Sequence, residues 1–189
     1  TKCFLASGSA MYQWIKRLFK VKGSDKLKPD WQRSTRHCDY SALRLELKTA
    51  IDASLAEIGE ELEIAYCIQT DSTRVRPGGF FDSRRKALYH AVIITPHWLI
   101  QAIDPGDGKT EPLVVFNSYL HMEIRDDTVE LCKKYGVEDY GVDIVSQTSR
   151  DISVGSYFIG LEPGGIARQF LSTLKLYIRS ANLPVRGHD

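Results

Sequence analysis

Lys86 to Asp104 reads KALYHAVIITPHWLIQAID, two apolar, β-branched and aromatic runs on either side of a short polar turn at Thr95-Pro96-His97. That pattern predicts a β-hairpin. Proline suits the turn because its ring sets φ and it has no N–H to give a ladder. In the first run Leu88, His90, Val92 and Ile94 alternate with Ala87, Tyr89, Ala91 and Ile93. In the second, Trp98, Ile100 and Ala102 share one side, with Leu99, Gln101 and Ile103 on the other. Neither face of the pair is wholly polar, so the hairpin belongs in the middle of a sheet covered on both sides.

A chain of 189 residues can surround such a hairpin with a sizeable core. Its 43% hydrophobic and 26% charged residues are those of an ordinary globular protein. A formal net charge of +1 argues against nucleic acid as a partner for the whole surface, though it permits a local basic patch. The four cysteines, Cys3, Cys38, Cys67 and Cys132, form no CxxC and no Cys/His cluster at zinc spacing, so they are expected to be free thiols in a reducing compartment. No apolar run reaches the roughly 20 residues of a membrane span. Thr1 to Ala10 lacks the features of a secretory signal. The expected location is cytoplasmic, with peripheral membrane contact as an option.

Before residue 62 the pattern is helical. Met11, Trp14, Ile15, Leu18 and Phe19 recur at helical spacing among Gln13, Lys16, Arg17 and Lys20, which predicts a basic amphipathic helix over 11–21. Lys22, Lys26 and Lys28 extend its charge. Asp30 to Asp39 shows little periodicity and reads as a connector. Leu43, Leu47, Ala50, Ile51, Leu55, Ile58 and Leu62 then form one stripe, predicting a long helix over 41–60 with Asp39 or Ser41 as N-cap. From Leu62 to Thr70 the period changes to two, which marks a half-buried strand.

The remainder is a series of strands and one closing helix. After the hairpin come strands at Leu113 to Phe116, at Leu120 to Ile124 beyond an Asn117-Ser118 break, at Gly141 to Gln147, and at Ser153 to Leu161. Asp126 and Asp127 open a short helix closed by Lys133, Lys134 and Gly136. Glu162-Pro163-Gly164-Gly165 turns the chain into a final helix whose stripe is Ile166, Phe170, Leu174, Tyr177 and Ile178. Sequential strands favour antiparallel neighbours, and a lone terminal helix must bury its stripe against the sheet. The expected class is α+β, a small bent antiparallel sheet or partial barrel capped by a C-terminal helix. The expected division is a helical extension at 1–61, a domain at 62–182 and a polar tail at 183–189.

Three stretches carry a resemblance: the AVIITPHWLIQAID hairpin, LVVFNSYLHMEIRDD, and SYFIGLEPGGIARQFLSTLKLYI. In type and order they resemble the pleckstrin-homology-like superfamily, including its GRAM-type relatives, over about residues 62 to 180. The closing helix lacks the Trp common in that superfamily, and Phe170 stands as its substitute. The resemblance implies that the loop between the first two strands binds anionic headgroups.

Here that loop holds Arg74, Arg76, Arg84, Arg85 and Lys86 around Pro77-Gly78-Gly79, with Phe80 and Phe81 as an apolar wedge. Guanidinium groups on a bent loop suit bidentate phosphate contacts, whatever the family. The second candidate surface is Trp14, Lys16, Arg17, Phe19 and Lys20 of the first helix, which suit an anionic membrane or a protein partner. Gly108-Lys109-Thr110 is no P-loop, since Ile103 stands where the motif needs its first Gly. The histidines form no metal-ligand or catalytic spacing, and Cys67 has no evident partner to lower its pKa. The expected function is therefore a non-enzymatic adaptor that needs no cofactor and docks a protein partner or an anionic membrane. Two rivals stand beside it. One is a small enzyme in which His121 converges with Glu123 or Asp104. The other is a self-assembling protein.

Overall fold

The computed structural model describes residues 31–74, 87–125, 140–148 and 151–183. The hairpin lies at its centre, β3 (Ala87–Ile94) and β4 (Trp98–Asp104). Thr95 builds the turn. Its amide donates to the Trp98 carbonyl at 3.0 Å, and its Oγ1 accepts from the Trp98 amide at 2.9 Å. The Tyr119 hydroxyl donates to the same Trp98 carbonyl at 2.7 Å.

Around the hairpin, β1 (Trp31–His37), β2 (Tyr66–Arg74) and β5 (Leu113–Ser118) complete a five-stranded antiparallel meander in the order β1-β2-β3-β4-β5. A second, three-stranded part is made of β6 (Glu123–Arg125), β7 (Gly141–Thr148) and β8 (Asp151–Gly160), with β7 in the middle. Among the described residues the two parts are joined by one backbone pair, Asn117 with Thr148. Asn117 lies inside β5 and is fully buried, so Asn117-Ser118 does not break that strand. Its Nδ2 donates to the Leu99 carbonyl at 3.2 Å and its Oδ1 accepts from the Ser146 hydroxyl at 2.8 Å. A polar residue survives at this corner because both ends of its amide are bonded.

Each face of the meander has its own core. On the outer face α1 (Leu45–Ile58) lays Leu47, Ile51 and Leu55 on Cys67, Ala91, Ile93, Ile100, Ala102 and Phe116. Gly59 ends α1 in the left-handed conformation, at φ 68°, where glycine carries no Cβ penalty. On the inner face α2 (Gly165–Ala181) buries Ala167, Phe170 and Leu174 against Ile68, Val92, Ile94 and Leu99, together with Val142, Ile144, Tyr157 and Ile159 of the smaller part. Phe170 is fully buried there.

The curvature brings the end of β8 back to β1. The Thr35 amide donates to Glu162 Oε2 at 3.1 Å, and the Glu162 amide donates to Thr35 Oγ1 at 2.8 Å. Arg33 lies over the Phe158 ring at 5.7 Å from its centroid. Among the described residues no ladder joins β8 to β1, so the fold is an α+β bent sheet with a C-terminal helix and not a closed barrel.

Several expectations need correction. Asp30 to Asp39 is not a connector, because residues 31–37 form β1, paired along its whole length with β2. The long helix is shorter than 41–60: a 3-10 turn at Tyr40–Ala42 precedes α1 at Leu45. Leu62 and Ile64 precede β2, which starts at Tyr66. Nor do residues 31–61 stand apart from the sheet, since β1 is one of its strands and α1 shares the outer core. The helices expected over 11–21 and after Asp127 lie outside the described residues.

Candidate functional site

Of the anion-binding set, Arg74 is the residue the structure places. It ends β2 and pairs directly with Trp31, the first residue of β1. Both are half-buried. Arg76, Arg84, Arg85, Lys86, Phe80 and Phe81 lie outside the described residues, as do Trp14, Lys16, Arg17, Phe19 and Lys20. Their points of attachment are described, however. Segment 75–86 leaves β2 at Arg74 and enters β3 at Ala87, which pairs with Thr73. Segment 1–30 enters β1 at Trp31, opposite Arg74. Both basic segments are therefore rooted on one corner of the sheet. Arg33, opposite Ser72, is a second described basic residue near that corner.

Next to it on the outer face, a polar cluster positions the start of α1. Tyr89 and Asp104 face each other across β3 and β4. The Arg44 guanidinium sits over the Tyr89 ring at 3.9 Å, and its Nε is 3.3 Å from Asp104 Oδ2. Asp104 Oδ1 accepts from the Gly106 amide at 2.8 Å. The Arg44 amide donates to Gln69 Oε1 at 2.9 Å, and Gln69 Nε2 donates to Asp71 at 2.6 Å. Asp104 is buried and engaged on both oxygens, so its carboxylate serves as an anchor for Arg44 and the following loop.

His121 does not converge with Asp104. It sits in a turn at φ 59°, with its amide donating to Asn182 Oδ1 at 3.2 Å. Its neighbour Tyr119 bonds the start of β4, whereas Asp104 ends that strand, roughly 20 Å away at about 3.3 Å per residue. Glu123 is exposed on β6. Among the described residues no three His, Cys, Asp or Glu side chains group to hold a metal ion. No described helix is long and apolar enough to cross a membrane.

Two further arrangements escaped the sequence reading. Inside the bend, His90 lies opposite Thr70, which lies opposite Thr35, and the two threonine hydroxyls are 3.0 Å apart. Among the described residues, His90 Nε2 and Gln101 Nε2 are buried with no hydrogen-bond partner. Burial, helped by the nearby Arg33 charge and opposed by Gln101, lowers the His90 pKa to about 4. On the outer face, Cys38 follows β1 and Cys67 lies in β2, with their sulfurs 3.9 Å apart. Cys38 is thus a partner for Cys67, but not one that lowers its pKa. The hydrogen bond from Cys67 lowers the Cys38 pKa to about 7 against the effect of burial, with Arg36 assisting, while the Cys67 pKa is raised. The residues are far apart in the chain and meet only because β1 is a strand.

At the far end of the hairpin is a cleft of about 470 Å³, lined by Glu60, Glu61, Glu63, Pro96, His97 and Trp98 among others. It lies beside the turn, away from the basic corner. No protein-family model matches the chain, and no curated protein or solved structure was found to be similar to it.

Proposed function

We propose that this protein is a non-enzymatic adaptor with a pleckstrin-homology-like domain, docking an acidic partner surface through its two basic segments. The observation that carries this reading is the pairing of Trp31 with Arg74, which roots both segments at one corner. Segment 74–86 contributes Arg74, Arg76, Arg84, Arg85 and Lys86, and segment 11–28 contributes Lys16, Arg17, Lys20, Lys22, Lys26 and Lys28. With a net charge of only +1, that concentration of basic residues in two stretches of the chain supports a reading in which positive charge is locally gathered. A protein partner is the first choice, and an anionic membrane is the second surface with the same chemistry. The bent sheet closed by α2 supports the pleckstrin-homology-like assignment, with α1 as an additional element on the outer face.

The test is binding of the full chain to immobilised polyglutamate and to neutral and anionic liposomes, at low and moderate salt. A version lacking residues 1–28 and one with Arg74, Arg76, Arg84 and Arg85 changed to Ala run alongside. A basic side chain near an anionic membrane contributes about 1 kcal/mol, so the four-arginine variant should lose on the order of a hundredfold or more in affinity. Binding should fade with salt. Retention on neither acidic surface, or retention unaffected by either change, sinks the reading.

A further inference from the structure

We propose that Cys38 and Cys67 are a modification site, a dithiol that a hydroperoxide converts to an intramolecular disulfide. Strand register brings the two cysteines together, independently of any docking surface. β1 and β2 are paired residue by residue to His37 and Ile68, and the next opposed pair is Cys38 with Cys67. The Cys38 amide donates to the Cys67 carbonyl at 3.1 Å, so the ladder continues through the cysteines. Hydrogen-bonded opposed residues in an antiparallel pair have Cα atoms about 5.5 Å apart. Disulfides span Cα separations of about 4.4–6.8 Å, so the backbone is already at bonding distance. The sulfurs, 3.9 Å apart, need only side-chain rotation to close the bond.

The two thiols differ in the way an attacking and a resolving sulfur must. Cys38 lies at the end of the edge strand and is half-buried, whereas Cys67 is buried beneath α1. Arg36 lies close enough to favour a thiolate at Cys38, with Asp39 and Asp71 opposing it. A pKa of about 7 leaves a large share of Cys38 ionised at neutral pH. In the first step the Cys38 thiolate attacks one peroxide oxygen. The S–O bond forms, the O–O bond breaks, and the leaving hydroxide is protonated to water or, for an organic peroxide, leaves as an alcohol. In the second step the Cys67 sulfur attacks Cys38. The S–S bond forms, the S–O bond breaks, and the departing hydroxide takes the Cys67 proton as water. Two thiols lose two electrons and two protons in total, and the peroxide is reduced by two electrons.

The bond would pin the end of edge strand β1 to β2 just before the 3-10 turn that leads into α1. A dithiol reductant would reverse the bond by thiol–disulfide exchange.

The experiment treats the full native chain with hydrogen peroxide, alkylates remaining thiols under denaturing conditions, and maps peptides without reduction. The expected result is a peptide joining Cys38 to Cys67, lost on dithiothreitol treatment, with no disulfide-linked dimer in non-reducing denaturing gels. In a Cys67→Ala variant, dimedone should label Cys38 as a sulfenic acid, and a Cys38→Ser variant should show no such label at Cys67. Iodoacetamide should modify Cys38 roughly tenfold faster than an ordinary cysteine thiol at neutral pH. Peroxide treatment that leaves both cysteines alkylatable, or links either one to Cys3 or Cys132 instead, overturns the proposal. The native-chain map decides the matter even if a variant fails to fold.

Discussion

His90 makes the stability of this fold depend on pH in a direction that can be worked out beforehand. Its side chain is on the inner face of β3, opposite Thr70 and near Gln101, with the Arg33 charge close by. Burial is the main reason its pKa falls from 6.5 to about 4. Above pH 6.5 both folded and unfolded chains carry a neutral imidazole, and His90 contributes no pH dependence. As the pH falls below 6.5 the unfolded chain takes up a proton that the folded chain refuses. Stability therefore drops, until near pH 4 both forms are protonated. The slope approaches about 1.4 kcal/mol per pH unit in the middle of that window, and the integrated loss is on the order of 3 kcal/mol. That is a large part of the 5–15 kcal/mol by which domains are typically stable. Urea unfolding at several pH values between 4 and 7.5, for the native chain and for His90→Gln, isolates the effect, because subtraction cancels the other titrating groups. The variant should lose most of the acid-side decline. Parallel stability curves for the two proteins, or an NMR titration placing His90 near 6.5, would refute the reasoning.

Two other substitutions probe how the sheet is held together. A Cβ at Gly141 would overlap the Ile159 carbonyl and the Phe158 ring, so Gly141→Ala should destabilise by about 1–3 kcal/mol, seen as a lower urea midpoint. Gly164→Ala, where a Cβ meets nothing, serves as the control. Glu162→Ala removes the carboxylate that accepts the Thr35 amide, a charge-assisted bond of about 1.5–3 kcal/mol, and hydrogen exchange at Thr35 should quicken while that of Ile93 changes little.

How far the fold could be read in advance followed from where apolar residues carry the period. The β3–β4 hairpin was legible because both its faces are buried, and α2 because Phe170 and Leu174 continue one stripe into the inner core. β1 was missed for the opposite reason. Its sequence WQRSTRH is that of an edge strand, and only Thr35 is buried, so its period is carried by polar residues. Asn117 looked like a break because the bonds that make it tolerable come from Leu99 and Ser146, which are distant in sequence. The start of β2 was placed too early because Leu62 and Ile64 alternate like a strand. Leu62 instead packs with the outer core as the chain returns from α1 to the sheet. The basic loop was visible as composition. That it leaves the sheet at Arg74, opposite Trp31, depends on the β1–β2 register.

The same edge strand, β1, carries the basic corner, the Thr35–Glu162 bonds and the cysteine pair. Its first residue, Trp31, pairs with Arg74 at the root of both basic segments. Its middle is held by Thr35 and Glu162, across the gap that keeps the sheet from closing. Beyond its last residue, Cys38 faces Cys67. A polar edge strand is secured by such specific bonds more than by apolar area, since most of its side chains face water. The Thr35–Glu162 bonds and a Cys38–Cys67 disulfide would therefore restrain the middle and the end of β1, leaving the Trp31 end least restrained. On the proposed docking, a partner at the basic corner would meet β1 at that end. Any ordering it imposes should be read first in slower exchange of the backbone amides nearest Trp31, while those around Thr35 are already protected.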